Sequence, residues 1–195
     1  MNSVPNTHPE PTTGLILCGG QGHRMGGQDK GLLDFHGRRL IEIAIDRLRP
    51  QVDAMLVNAN RNLPAYQALG FPVVTDPHYG EDHLTFQGPL AGILAGLNAM
   101  EHRWLVTVPC DCPLFPLDLV SQLHRASATF TRAAYIQSHP TFALIPVSAK
   151  DHLNHFLQHG RRKLGQWLQE IEAYPIPPGD ESSFRNLNTP QDMVD

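Results

Sequence analysis

The sequence predicts a three-layer α/β domain built on a parallel sheet, and three observations carry that prediction. Short apolar runs bounded by glycine or proline alternate with segments of helical period. Strand and helix patterns succeed one another in the order that right-handed crossovers between parallel strands require. The first apolar run, "GLILC", opens straight into "GGQGHRMGGQDK", where the loop after the first strand of an open sheet meets its ligand.

In chain order, strands are expected over residues 14–18, 54–58, 72–75 and 104–108, each an apolar run of strand length. Between them, apolar residues recur at helical spacing over 40–49, 63–69 and 89–100. Later strands are expected at 133–137, 141–146 and 173–176, with helices at 149–159 and 161–171. Near the end, Thr189, Pro190 and Asp192 supply a capping hydroxyl, a first-turn proline and an acid at N3, the signature of a helix start. With room for barely one turn, that helix must lean on the core or be the start of a longer one. No repeat or linker divides the chain. One domain is expected over 14–195, preceded by a loose tail at 1–13, "MNSVPNTHPEPTT", which lacks the basic and apolar regions of a signal peptide.

Of 195 residues, 41% are hydrophobic and 17% charged, the profile of a soluble chain that folds around its own core and neither spans a membrane nor needs a structural metal. A formal net charge of -4 argues against a nucleic-acid groove, so any cations that matter act locally. Three cysteines make no disulfide framework and suit a reducing compartment, so a cytoplasmic protein is expected.

In the glycine-rich loop, backbone N–H groups can approach a ligand with no side chain between, and successive amides form an anion-binding concavity. Arg24 adds a fork for two phosphate oxygens and Lys30 a movable point charge, a pairing able to neutralise a polyphosphate. Lys30 follows aspartate rather than glycine, and Gly22 has no glycine three residues on, so neither a P-loop nor a dinucleotide fingerprint is present.

A second constellation is "VPCDCP", where an apolar strand ends on Asp111 at the same rim. A carboxylate there could seat Mg²⁺, which takes one or two carboxylates and fills its shell with phosphate and water oxygens; aspartate is also a common turn residue. Cys110 and Cys112 lack the second pair that zinc spacing needs and read as buried thiols. Gly88, Gly92 and Gly96 recur every four residues on a predicted helix, which suits close packing on the sheet or a flat ligand. Asn58 and Asp76 end the second and third strands, and their donors and acceptors suit a nucleobase edge or ribose hydroxyls. His152, His155 and His159 share a helical face but have no acid or cysteine at ligand spacing, so a solvated face is expected. Arg161, Arg162 and Lys163 read either as a docking patch for an anionic cofactor or as a helix end.

Together "LCGGQGHRMGGQDKGLL", "VNANR", "VVTDP", "GPLAG", "PCDCP", "HPTFAL" and "NLNTP", in this order and spacing from about residue 14 onward, resemble the molybdenum cofactor guanylyltransferases. The resemblance implies a Rossmann-like nucleotidyltransferase domain with a mainly parallel twisted sheet. It also implies a reaction in which GTP and molybdopterin give molybdopterin guanine dinucleotide and pyrophosphate. It places Leu17, Cys18, Gly19 and Gly20 along the guanine nucleotide, Lys30 on its phosphates and Asn58 and Asp76 against it. Asp111 would bind both GTP and Mg²⁺, and Asn186 and Asn188 would meet the pterin. Cofactor-synthesis proteins and apo-molybdoenzymes are the implied transient partners. Two departures stand out: Cys18 occupies a position that is usually alanine and brings an oxidisable thiol toward the nucleotide, and the segment between Asp76 and Gly88 is longer than the family pattern. The rival readings are a cytidylyl or sugar-phosphate nucleotidylyltransferase of the same fold, and a non-catalytic nucleotide-binding protein that delivers cofactor.

Overall fold

This computed structural model describes residues 10–19, 29–77, 88–127, 132–187 and 192. Its core is a seven-stranded sheet in the order β5-β4-β1-β6-β8-β7-β9. These strands are β1 (Thr12–Leu17), β4 (Ala54–Asn58), β5 (Val73–Val74), β6 (Trp104–Pro109), β7 (Ala134–Ile136), β8 (His139–Pro146) and β9 (Tyr174–Ile176). β1 pairs in parallel with β4 and β6, β4 with β5, and β7 with β9. β8 runs antiparallel to both β6 and β7. A two-residue connection at 137–138 joins β7 to β8, far too short for the crossover that a parallel pair needs.

Side-chain alternation along the strands divides the core between the two faces of the sheet. Ile16, Val57, Val106 and Val108 point to one face, covered by α1 (Leu40–Leu48) and α4 (Leu119–Ala126). Leu15, Leu17, Leu56 and Leu105 point to the other, covered by α3 (Pro89–Ala99), α5 (Lys150–Gln158) and α6 (Leu164–Glu170). In α1 the buried positions are Leu40, Ile41, Ala44, Ile45 and Leu48, a stripe of helical period. α2 (Leu63–Gln67) is one short turn that buries only Tyr66.

Three elements differ from the sequence expectation. The first strand begins at Thr12, inside the stretch read as a tail. Thr12 and Thr13 are buried and paired with β6, and Glu10 Oε2 accepts the indole N–H of Trp104 at 3.0 Å. The hairpin of β2 (Asp34–Phe35) and β3 (Arg38–Arg39) was not expected; His36 (φ 53°) and Gly37 (φ 80°) form its left-handed turn. α4 was also missed, although Leu119, Val120, Leu123 and His124 show the helical spacing, because a proline-rich approach masks its start. The helix start expected at 189–192 lies outside the described residues save Asp192, whose carboxylate accepts from Arg185 at 2.7 Å. No described helix is long and apolar enough to cross a membrane.

The α3 glycines serve packing. A Cβ on Gly96 would stand 2.7 Å from Leu15 Cδ2, and one on Gly92 would stand 2.2 Å from Asn58 Oδ1. Gly88, at φ 70°, supplies the left-handed entry to the helix.

Candidate active site

β1, β4, β5 and β6 all end on one rim, and the polar residues that follow them form two facing groups. The first surrounds Gly19. The Cys18 N–H donates to the Asn58 carbonyl at 2.8 Å, carrying the β1–β4 ladder one residue past the strand. A Cβ on Gly19 would lie 3.1 Å from Asn58 Oδ1, 3.2 Å from Asn60 Nδ2 and 4.0 Å from Asp76 Oδ2. Asn58 is 2% exposed, and its amide donates to Asp76 Oδ1 at 2.9 Å and to the Val74 carbonyl at 3.2 Å. Asp76 N–H donates in turn to Asn60 Oδ1 at 2.8 Å. Asp76 is thus held from two sides, with its second oxygen nearest Gly19.

The second group pairs a cation with a carboxylate. The Cys110 N–H donates to the Leu17 carbonyl at 3.1 Å, so Asp111 leaves β6 next to the end of β1. Lys30, which begins a 3₁₀ turn (Lys30–Leu32), donates from Nζ to Asp111 Oδ2 at 2.9 Å; the two side chains are 22% and 18% exposed. Such a half-sheltered pair is stronger than a surface salt bridge yet remains within reach of a ligand. On its far side the Asp111 carbonyl accepts the Leu187 N–H at 2.7 Å, which brings the C-terminal segment, with exposed Asn186, to the same acid.

The structure thus gathers Gly19, Asn58 and Asp76 in one group and Lys30, Asp111 and Asn186 in another. The Leu17 and Cys18 side chains turn away: Leu17 packs beneath α3 and Cys18 is 4% exposed in the opposite core, so both meet the cleft by backbone alone. The thiol of Cys18 therefore faces the core, contrary to the expectation that it would lie beside the nucleotide. Gly20, Arg24 and Asn188 lie outside the described residues, as do 78–87 of the long segment before Gly88.

Cys110 and Cys112 are buried thiols. A hydrogen bond with Cys18, reinforced by burial, pushes Cys110 well above its usual value, and burial together with Asp111 pushes Cys112 up to about 12. Neither supplies a thiolate near neutral pH. Among the described residues no three His, Cys, Asp or Glu side chains form a metal cluster. His152 accepts the Trp167 indole N–H at 3.1 Å, and the His155 and His159 rings lie tilted at 48° with centroids 4.1 Å apart. Arg161 pairs with Glu170 and lies 4.0 Å over the Phe156 ring.

Three neighbours of the site were not singled out from sequence. Asn60 braces Asp76, and Asp29 and Tyr66 bond to each other just behind Lys30. "VNANR" placed Asn60 two residues beyond Asn58, a visible signal; nothing local reveals that Asp29 turns inward.

The family model for the MobA-like NTP transferase domain matches residues 14–173. The chain is 42% identical over 194 residues to a molybdenum cofactor guanylyltransferase from Polynucleobacter asymbioticus, covering 95% of each chain. It is 45% identical over 185 residues to one from Yersinia pseudotuberculosis, covering 92% of each. Its fold is similar to the molybdopterin-guanine dinucleotide biosynthesis protein A from Archaeoglobus fulgidus, with a TM-score of 0.73 at 23% identity over 93% of this chain and 94% of that one. It is also similar to the 2-C-methyl-D-erythritol 4-phosphate cytidylyltransferase from Thermus thermophilus, with a TM-score of 0.68 at 14% identity over 92% and 94%.

Proposed function

Since this chain belongs to the MobA-like NTP transferase domain family, we propose that it transfers GMP from GTP to the terminal phosphate of molybdopterin, giving molybdopterin guanine dinucleotide and pyrophosphate. The observation that carries this reading is the placement on one rim of an acceptor-rich, hydrogen-bonding cradle (Gly19, Asn58, Asp76) suited to ribose hydroxyls or a base edge and, apart from it, of a cation–carboxylate pair (Lys30, Asp111). A nucleoside triphosphate has the complementary division, hydroxyls and ring N–H donors at one end and a polyanion at the other.

Asp76 and Asn58 hold the nucleoside end, Gly19 admits it without a side chain in the way, and Lys30 meets the phosphates, with Gly20 and Arg24 assigned to the same end. Asp111 offers hard carboxylate oxygens beside Lys30, a donor set that suits Mg²⁺ if phosphate and water complete the shell. When bound, that ion screens the negative charge that builds on the pyrophosphate. An oxygen of the molybdopterin phosphate forms the new bond to the α-phosphorus while the bond to the β-phosphate oxygen breaks. The nucleophile is already anionic, so no side chain has to remove a proton. The protein's contribution is to bring two mutually repelling anions into line and to place positive charge where the leaving group forms. Asn186, and Asn188 with it, orient the pterin substrate at Asp111. We assign the reaction to the cytoplasm, with apo-molybdoenzymes and cofactor-synthesis proteins as transient partners.

Pyrophosphate release tests the reading. GTP with molybdopterin and Mg²⁺ is expected to give it, and chelation of the metal to stop it. The cytidylyl rival shares the fold, so parallel titrations with GTP and CTP discriminate; tighter CTP binding defeats the guanine assignment. Nucleotide binding without pyrophosphate release would instead favour a delivery protein.

A further inference from the structure

Lys30 is seated from both sides by one buried hydroxyl. Asp29 precedes the 3₁₀ turn at its N-cap position, yet its side chain caps nothing there. The carboxylate instead turns inward, where it is 3% exposed. Its Oδ1 accepts the Tyr66 O–H at 2.5 Å, its Oδ2 accepts the Asn62 amide at 3.1 Å, and the Arg61 guanidinium lies 3.6 Å from Oδ2. On the other side of Lys30, a Cβ on Gly31 would stand 2.5 Å from the same Tyr66 oxygen and 3.4 Å from Cys18 Sγ. Tyr66 is fully buried, and its bond to Asp29 leaves the hydroxyl no freedom to yield. Burial raises its pKa far above the ordinary value, with Cys18, Cys110 and Asp29 adding to the effect, so it remains a donor at all working pH values.

We propose that Asp29 and Tyr66 are positioning residues that hold Lys30 opposite Asp111, acting on the nucleotide phosphates through the lysine without touching them. The residues flanking Lys30 both rest on the Tyr66 oxygen, one by hydrogen bond and one by close approach. The backbone from which the ammonium extends is thereby tied to α2 on the β4 side of the sheet, while the ammonium itself reaches β6. A buried carboxylate deprived of a donor shifts to find another, and Lys30 must move with it.

This proposal rests on the guanylyl reading and predicts a signature that a general packing role lacks. Tyr66→Phe keeps the ring and deletes the donor. The dissociation constant for GTP, in Mg²⁺ buffer, is expected to rise about tenfold, while that for guanosine, measured by competition, stays unchanged because it binds at the Asn58 and Asp76 end. In a Lys30→Met background, Tyr66→Phe is expected to add less than about twofold, because the group it positions is gone. Asn62→Gly suits the left-handed backbone at that residue (φ 50°) and removes a second donor to Asp29. It should reproduce the GTP-selective loss at about two- to threefold, even should Tyr66→Phe fail to fold. Equal losses for GTP and guanosine, no loss in either variant, or additivity with Lys30→Met would each overturn the proposal. Failure of the unmutated chain to bind GTP is a separate result that overturns the guanylyl reading beneath it.

Discussion

From β5 through β4 and β1 to β6 the sheet is parallel, whereas from β6 onward it reverses at β8 before β7 and β9 pair in parallel at the edge. The two regions bring polar groups to the same rim by different routes. In the parallel region every group arrives at a strand's carboxyl end: Gly19 after β1, Asn58 on β4, Asp76 after β5, Asp111 after β6. In the reversed region β8 points the other way, so its first residue, His139, arrives there instead. His139 Nε2 bonds to Glu181 Oε1 at 2.7 Å and its ring stacks on Phe184 at 5.3 Å, which clamps the C-terminal segment as it runs toward Asp111. The parallel region thus fixes the groups proposed for the nucleotide, and the reversed region anchors the segment to which the second substrate's contacts are assigned. Asp111 is the seam, bonded to Lys30 by its carboxylate and to Leu187 by its carbonyl.

Asp111→Ala tests the seam and should have the largest effect. It removes the carboxylate but leaves the carbonyl that holds Leu187, so kcat is expected to fall by roughly 10² to 10³ while the KM for molybdopterin changes little. Pyrophosphate release at saturating substrates reads both. Turnover at the unmutated level would remove Asp111 from the mechanism. Gly92→Ala probes the parallel region alone. Its new methyl would lie 2.2 Å from Asn58 Oδ1, and Asn58 is buried and bonded on two sides, so the side chain that holds Asp76 must shift. Overpacking of this kind costs about 1–3 kcal/mol, and GTP affinity should drop about tenfold or more. The KM for GTP in Asn58→Ala should rise by a similar or smaller factor, well short of the Asp111 effect. An intact GTP affinity in Gly92→Ala would show that Asn58 does not support the nucleoside.

The same contrast explains what could be read from the chain. In a parallel sheet the rule that ligands lie beyond the carboxyl ends of strands converts strand assignments into candidate site residues, and it singled out Asn58, Asp76 and Asp111, which the structure brings to one rim. It fails where a strand reverses: "HPTFAL" was visible, but His139 at its start has no reason to be singled out until β8 is known to oppose β6. Asp29 was missed for another reason. An acid before a short helical turn ordinarily caps it, and only the distant Tyr66 shows that this one is turned inward. The tail boundary was misplaced because Thr12 and Thr13 look polar, although β-branched residues suit a buried strand whose hydroxyls find partners in Glu10, His124 and His102.

His139→Ala probes the reversed region and should have a smaller effect. Deleting the ring removes the Glu181 bond and the Phe184 stack but touches nothing in the cradle around Gly19. The KM for molybdopterin is expected to rise about three- to tenfold, with the GTP dissociation constant unaltered. His139→Gln, which can still donate to Glu181, should recover part of the loss. A matching loss in GTP affinity would mean that the two regions are coupled and the contrast false.

The smallest effect is expected on the flank formed by α5 and α6, which supplies none of the polar groups placed at the rim. Arg161 is engaged by Glu170 and Phe156, so it behaves as the support of a helix end rather than as a docking cation. Its hydrogen bond to Glu170, aided by its charge and by His152, holds that carboxyl below its ordinary value of 4.5. A carboxyl with a depressed folded pKa adds stability above its unfolded pKa and loses it as pH falls through the folded value. Glu170→Gln should therefore lower Tm slightly at pH 7, less so in high salt because the pair is exposed, and the difference should vanish in acid, where both proteins carry a neutral group at this position. Neither substrate's KM should move at pH 7. A raised KM for molybdopterin in Glu170→Gln would bring Arg161 into the second substrate's site, and the rim would then have three contributing regions in place of two.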